Sequence, residues 1–276
     1  MVPALLKHLG IEHVSILCHS AGTPYAFNTL YTLRHLLDPA APYIGIMGPW
    51  VHSDHSEKAL LSWAAKLPNG VLDGWNGLAW FINTKVAPSV SWSGGAISSV
   101  TSLFRTSPTD AEPDEIDLAK LIGRSKEVAK ELERLQGKFF FAEDTTAANE
   151  DARMCLKLGG EGLWGECEDY DDFVQKVVHM ETERLKANAG APKLKMRVFF
   201  AESDVMIGKG GQHYFEKCWA REGVDACIDY KGEERPGTNH ETVFVSADRS
   251  ALTPIFDDLS NREEASEAQQ SQDTAA

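Results

Sequence analysis

One junction near the N-terminus constrains this chain more than any other feature. His13-Val14-Ser15-Ile16-Leu17-Cys18 is a β-rich run, and His19 to Gly22 makes a sharp turn directly after it. Thr23 to Leu37 then spaces Tyr25, Ala26, Leu30, Leu33 and Leu37 along a helix, which Asp38-Pro39 stops. Tyr43-Ile44-Gly45-Ile46-Met47 is a second buried strand, ending at Gly48-Pro49. Strand, helix and strand in succession predict a parallel sheet, because a parallel return needs a long crossover. Ahead of this unit, Pro3 to His8 reads as the end of a helix with Gly10 at its C-cap.

The same alternation returns after Pro192. Met196 to Ala201 reads as a third strand, Glu202-Ser203-Asp204 as the turn at its end, Gly211 to Arg221 as a helix, and Ala226 to Tyr230 as a fourth strand. Lys231 to Asn239 reads as a polar loop leading to His240, and Ser246 to Leu259 as a closing helix. Gly208-Lys209-Gly210-Gly211 lacks the spacing and the Ser or Thr of a phosphate loop and reads as a flexible turn. Between Asp54 and about Ala191 there is no such alternation. That stretch holds Trp63, Trp75, Trp80 and Trp92, a charged amphipathic helix over Asp114 to Gln136, and another over Asp171 to Ala187. The expected organisation is a core of residues 1–52 and 192–260, a helical cap inserted at residues 53–191, and a disordered acidic tail at residues 261–276.

The segment Cys18-His19-Ser20-Ala21-Gly22 carries the chemistry. A tight turn between strand and helix exposes a serine hydroxyl at the C-terminal edge of a sheet, and its flanks must be small because the strained turn brings them close together. Gly22 fits the G-x-S-x-G pattern, and Cys18, also small, replaces its first glycine. The helix beginning near Ala21 aims N–H groups and a positive dipole end at an incoming anion, so Ala21 and His19 are the expected oxyanion or binding residues. A serine hydroxyl needs a general base, and the base needs an orienting acid. Asp204 follows the third strand and His240 the fourth, each at a carboxyl end where open α/β sheets place their chemistry. Glu202 and Asp54 are rival acids. His52-Ser53-Asp54-His55 matches no metal-ligand spacing and reads as a polar loop.

With serine, acid and histidine in that chain order, the sequence resembles the α/β-hydrolase superfamily, and within it the serine-nucleophile esterases and lipases. The resemblance covers about residues 1–52 and 192–260. It implies an α/β fold with a parallel sheet, Ser20 as nucleophile, His240 as base and Asp204 as orienter, with no cofactor. Ser20 argues against the epoxide hydrolases and haloalkane dehalogenases of the fold, whose nucleophile is an aspartate. The resemblance also implies about four strands and a second oxyanion donor ahead of the nucleophile strand. The sequence is therefore expected to be the C-terminal part of a longer hydrolase. The alternative is a truncated, non-catalytic, hydrolase-like binding protein.

Charge and composition narrow the partners. A net charge of −14 argues against nucleic acid, which selects basic surfaces. The expected partner is a small ester substrate, made hydrophobic by the tryptophan-rich cap, which could also touch a membrane surface peripherally. Five cysteines, an odd number without CxxC spacing, suggest a reducing compartment. No signal-like leader or membrane-spanning run is apparent, so a cytoplasmic location is expected.

Overall fold

The structure is a computed structural model that describes residues 1–56, 125–128, 131–132, 135, 146–158, 160–204, 206–240, 242–246 and 249–261. The expectations for Trp63, Trp75, Trp80 and Trp92, for most of the helix Asp114 to Gln136, and for the tail beyond residue 261 lie outside these residues.

Among the described residues, four parallel strands form one sheet in the order β1 (Ile16–His19), β2 (Tyr43–Met47), β3 (Leu194–Ser203) and β4 (Ile228–Asn239). β2 and the stretch Val198 to Ala201 of β3 are apolar on both faces, as a parallel sheet with covered faces requires. On one face, Ile44, Ile46, Met196, Val198 and Phe200 meet the helices α2 (Gly22–Thr32), α5 (Tyr170–Ala187) and α6 (Gly208–Trp219). On the other, Tyr43, Met47, Phe199 and Ala201 meet Val243, Ala251 and Ile255. The N-terminal helix α1 (Val2–Leu9) ends at a left-handed Gly10, as its sequence predicts, and buries none of its residues. Among the described residues, no helix is long and apolar enough to cross a membrane.

Several local expectations change. Lys231 to Asn239 is not a loop, because β4 continues through Asn239 and pairs residue by residue with β3 as far as Arg235. Its charged residues suit the end strand of the described sheet, where they discourage pairing with another chain. Lys209 to Gly211 is helical rather than a flexible turn, because the Asp204 carboxylate caps the chain just before α6. His52 to His55 leads into a short helix, α3 (Ser53–Ser56), and His55 stacks on Tyr214 of α6 with ring centroids 3.7 Å apart.

The closing helix begins at residue 252 rather than at Ser246, and a separate short helix, α8 (Thr242–Val245), precedes it. Ser250 stands at the start of the closing helix: its hydroxyl donates to the Phe244 carbonyl and accepts from Leu252 N–H. Pro254 follows in the first turn, where its missing N–H costs nothing.

The last helix of the expected cap, α5, packs against the sheet. In α5, Tyr170, Phe173, Val174 and Val177 lie in the same hydrophobic cluster as the sheet. Asp169 starts this helix by accepting hydrogen bonds from the N–H groups of Asp171 and Asp172. Glu181, fully buried, binds Arg34 from the turn after α2 at 2.5 Å and Arg184 at 2.8 Å. Trp50 is packed in the core too. Its indole N–H donates to the Cys155 carbonyl and its own carbonyl accepts from Tyr170.

Candidate active site

Ser20 follows directly on β1 and has φ +50°, the left-handed region that a residue with a Cβ rarely adopts. Such strain persists only where the surroundings over-determine it. Here they do. Ser20 N–H donates to the Met47 carbonyl at the end of β2, and the Ser20 carbonyl accepts from both the N–H and the hydroxyl of the buried Thr23. The Thr23 hydroxyl in turn accepts from Trp50 N–H. Gly22 meets the requirement for smallness, since a Cβ there would stand 3.2 Å from the Cys18 Cβ. A cysteine at position 18 is thus compatible with the turn as long as residue 22 is glycine. Burial pushes the Cys18 thiol up to about 12, against an opposing hydrogen bond with Thr23. It stays a neutral thiol at neutral pH and does not compete with the serine as a nucleophile.

His240 arrives from the opposite end of the sheet. Between Ala201 and Ser203 the register of β3 against β4 shifts, with Ala201 opposite Arg235 but Ser203 opposite Asn239. A bulge of this kind bends a strand and re-aims the residues beyond it. It is pinned on three sides: Glu202 accepts from Gly237 N–H at 2.6 Å, Ser203 donates to the Thr238 carbonyl, and Arg249 donates to the Gly237 carbonyl. Beyond it, Asn239 and Thr242 cap one another, each side-chain oxygen accepting from the other's N–H. His240, 2% exposed, is held between them.

Its imidazole bridges the two other candidates. His240 Nε2 lies 2.7 Å from Ser20 Oγ, and Nδ1 lies 2.8 Å from Asp204 Oδ2. The neutral tautomer that satisfies both contacts donates from Nδ1 to the carboxylate and accepts the serine proton at Nε2. Asp204 stands immediately after β3, and its Oδ1 accepts from Met206 and Ile207 N–H at 2.8 and 3.0 Å. Burial raises the Asp204 carboxyl pKa. The charge of His240, its hydrogen bond and the two backbone donors together outweigh that, so the net shift is downward.

Of the rival acids, Glu202 is committed to the bulge and Asp54 is exposed beside His52 at 3.5 Å. Ala21 is the N-cap residue of α2, so its N–H has no partner within the helix. His19 is placed differently from expectation. Its Nε2–H donates to the backbone carbonyl of His240 at 2.8 Å, so this nitrogen is not aimed at an oxyanion. Among the described residues, no group of three His, Cys, Asp or Glu side chains is arranged to hold a metal ion. Thr23, Glu202 and the Asn239–Thr242 pair also support the site, in roles that residue type alone does not announce. Only the last left a signal, the spacing of a helix-capping pair.

No protein-family model matches the chain, and no curated protein matches its sequence. Among solved structures it is similar to the haloalkane dehalogenase DatA from Agrobacterium tumefaciens, with 10% identity and a TM-score of 0.45, over 88% of this chain and 65% of that one. It is similar to an esterase variant at 15% identity and TM-score 0.44, over 89% and 61% of the two chains. An α/β-hydrolase fold protein from Burkholderia ambifaria gives 12% and 0.37, over 92% and 67%. The chain thus spans about two thirds of the length of these structures. What decides the fold is internal to this molecule: a parallel sheet, a left-handed serine on the turn after β1, an acid after β3 and a histidine after β4.

The fold is that of the α/β-hydrolases.

In α/β-hydrolase terms, β1 and α2 form the serine-bearing elbow, and β2 supplies the carbonyl that holds it from the side. β3 and β4 carry acid and histidine to the same carboxyl edge. All five cysteines are free thiols, so no disulfide stabilises this arrangement.

Proposed function

We propose that the chain is a serine hydrolase that cleaves a carboxylic ester of a hydrophobic small molecule or lipid through an acyl-enzyme. The reading is carried by one observation: a buried imidazole that contacts Ser20 Oγ at 2.7 Å on one side and a carboxylate at 2.8 Å on the other. In this reading Ser20 Oγ attacks the acyl carbon while its proton passes to His240 Nε2. Asp204 stabilises the imidazolium that forms and keeps the ring in the competent tautomer. Ala21 N–H donates to the carbonyl oxygen as it becomes an oxyanion, an interaction whose loss typically costs about 10²–10³ in rate. His240 then delivers the proton to the departing alkoxide. Water, deprotonated by the same nitrogen, attacks the acyl-enzyme and releases the acid and free Ser20. No step calls on a cofactor. The preference for a hydrophobic acyl group rests on the tryptophans at positions 63, 75, 80 and 92 of the sequence.

The test is covalent labelling of the 276-residue chain with a fluorophosphonate probe, followed by turnover of p-nitrophenyl esters of increasing acyl length. Wild type is expected to label, Ser20→Ala to remain unlabelled, and longer acyl chains to be turned over faster. A folded wild type that does not label would overturn the reading.

A further inference from the structure

His19 sits one residue before Ser20, at the end of β1, yet its side chain contacts the histidine loop rather than the space above the serine. Its Nε2–H donates to the His240 backbone carbonyl across 221 residues of sequence. Its ring stacks on Phe244 of α8, with centroids 5.2 Å apart and planes 16° from parallel, and tilts against the His240 imidazole at 5.2 Å. One residue of the elbow therefore reaches across to three features of the histidine loop: a carbonyl, a ring and the helix that follows. The backbone of that loop is also restrained from β3, from Arg249 and from within the loop itself. The hydrogen bond and ring contacts of His19 tie it directly to the residue adjoining Ser20.

We propose that His19 is a positioning residue that fixes His240 against Ser20 by holding the backbone of the histidine loop. Its effect on rate rests on the hydrolase reading above, while the geometry does not. The expected consequence follows from the steepness of proton transfer with distance: a displacement of about 1 Å in a catalytic group costs as much as ~10²-fold. The group being held is the imidazole, so the loss falls on the chemical step rather than on substrate binding.

Two substitutions separate the donor from the ring. His19→Phe keeps a ring to stack on Phe244 and removes the N–H. His19→Gln supplies an N–H at similar reach and removes the ring. Labelling by the fluorophosphonate is expected to slow by about 10–100-fold in His19→Phe and to recover to within about threefold of wild type in His19→Gln. On a p-nitrophenyl ester kcat falls in the phenylalanine variant while KM stays. The Nδ1 proton of His240, assigned by its loss in His240→Ala, should shift or broaden in His19→Phe and return in His19→Gln. Should the phenylalanine variant not fold, His19→Leu removes the same donor with less bulk.

Donor-less variants that label at the wild-type rate with an unchanged His240 proton would overturn the proposal. So would a glutamine variant as impaired as the phenylalanine one. If folded wild type fails to label at all, the hydrolase reading falls and the His240 proton alone decides. An unchanged signal in His19→Phe then overturns the positioning role, and a perturbed one upholds it.

Discussion

The demands on individual residues at the site are set by burial. Asp204 and His240 are almost inaccessible, so each must be satisfied by protein groups, and each is. The carboxylate takes one hydrogen bond from the imidazole and two from backbone N–H groups. These favour its ionised form more than burial disfavours it, leaving its folded-state pKa below the usual 3.8. A depressed carboxyl pKa contributes stability that is present above the unfolded-state value and is lost as pH falls through the folded-state value. Asp204→Asn removes that contribution. In urea denaturation, the stability gap between wild type and Asp204→Asn should persist above about pH 3.8 and close only below it. At pH 7 the same variant should label with fluorophosphonate more slowly by on the order of 10³-fold, since an amide can hold the imidazole in the wrong tautomer. A gap that stayed unchanged as pH fell well below 3.8 would contradict the assignment of Asp204 as an ionised partner. The convergence of Ser20, His240 and Asp204 was legible because their types, order and positions after strands together form a pattern. The side-chain contact of His19 was not, because its partner is a backbone carbonyl 221 residues away that no local spacing encodes.

At the scale of elements, the sequence announced the strands through apolar runs and therefore understated β4. The segment from Lys231 to Asn239 has charges, a proline and two glycines, which taken by themselves argue for a loop. Its strand character comes from backbone pairing with β3, which local composition cannot reveal, and its position at the end of the sheet makes polar residues acceptable. The bulge inside it is what carries His240 to Ser20, and it depends on Gly237, whose φ is +68°. A Cβ there would also stand 2.5 Å from Arg249 Nη1, displacing the guanidinium that donates to the Gly237 carbonyl. Gly237→Ala should therefore cost about 1–2 kcal/mol of stability from backbone handedness. It should also slow labelling of Ser20 more than that loss of folded protein explains, because the residue it strains lies three positions before His240. Thermal denaturation and labelling rate measured on the same preparation separate the two effects. An alanine variant that is less stable but labels at the wild-type rate would show that the bulge does not aim the histidine.

For the whole molecule, the question is where the core ends. Periodicity identified the helix Asp171 to Ala187 but assigned it to an inserted cap, because an amphipathic pattern shows that a face is buried without showing against what. The partner is the centre of the sheet's own core. Phe27 of α2, fully buried, stacks on Phe173 of α5 at 4.7 Å and lies 5.2 Å from Tyr170, 5.8 Å from Trp219 and 6.1 Å from Phe215. The buried Glu181 clamp on Arg34 fastens the same two regions from the other end of α5. We propose accordingly that α5 folds as part of the hydrolase core and that any independent cap ends before Asp169. A double-mutant cycle tests this. Phe27→Leu and Phe173→Leu should each cost on the order of 1–1.5 kcal/mol, as substitutions that leave most of the volume filled do. If both residues belong to one cooperative core, their combined cost should depart from the sum by about 1 kcal/mol, the scale of a stacked aromatic pair. Loss of helix and loss of tryptophan burial should then follow a single transition in every variant. A separately folding cap would instead give costs that add, with α5 melting at a different denaturant concentration from the sheet, and the histidine loop would then be anchored to a smaller core than the one described.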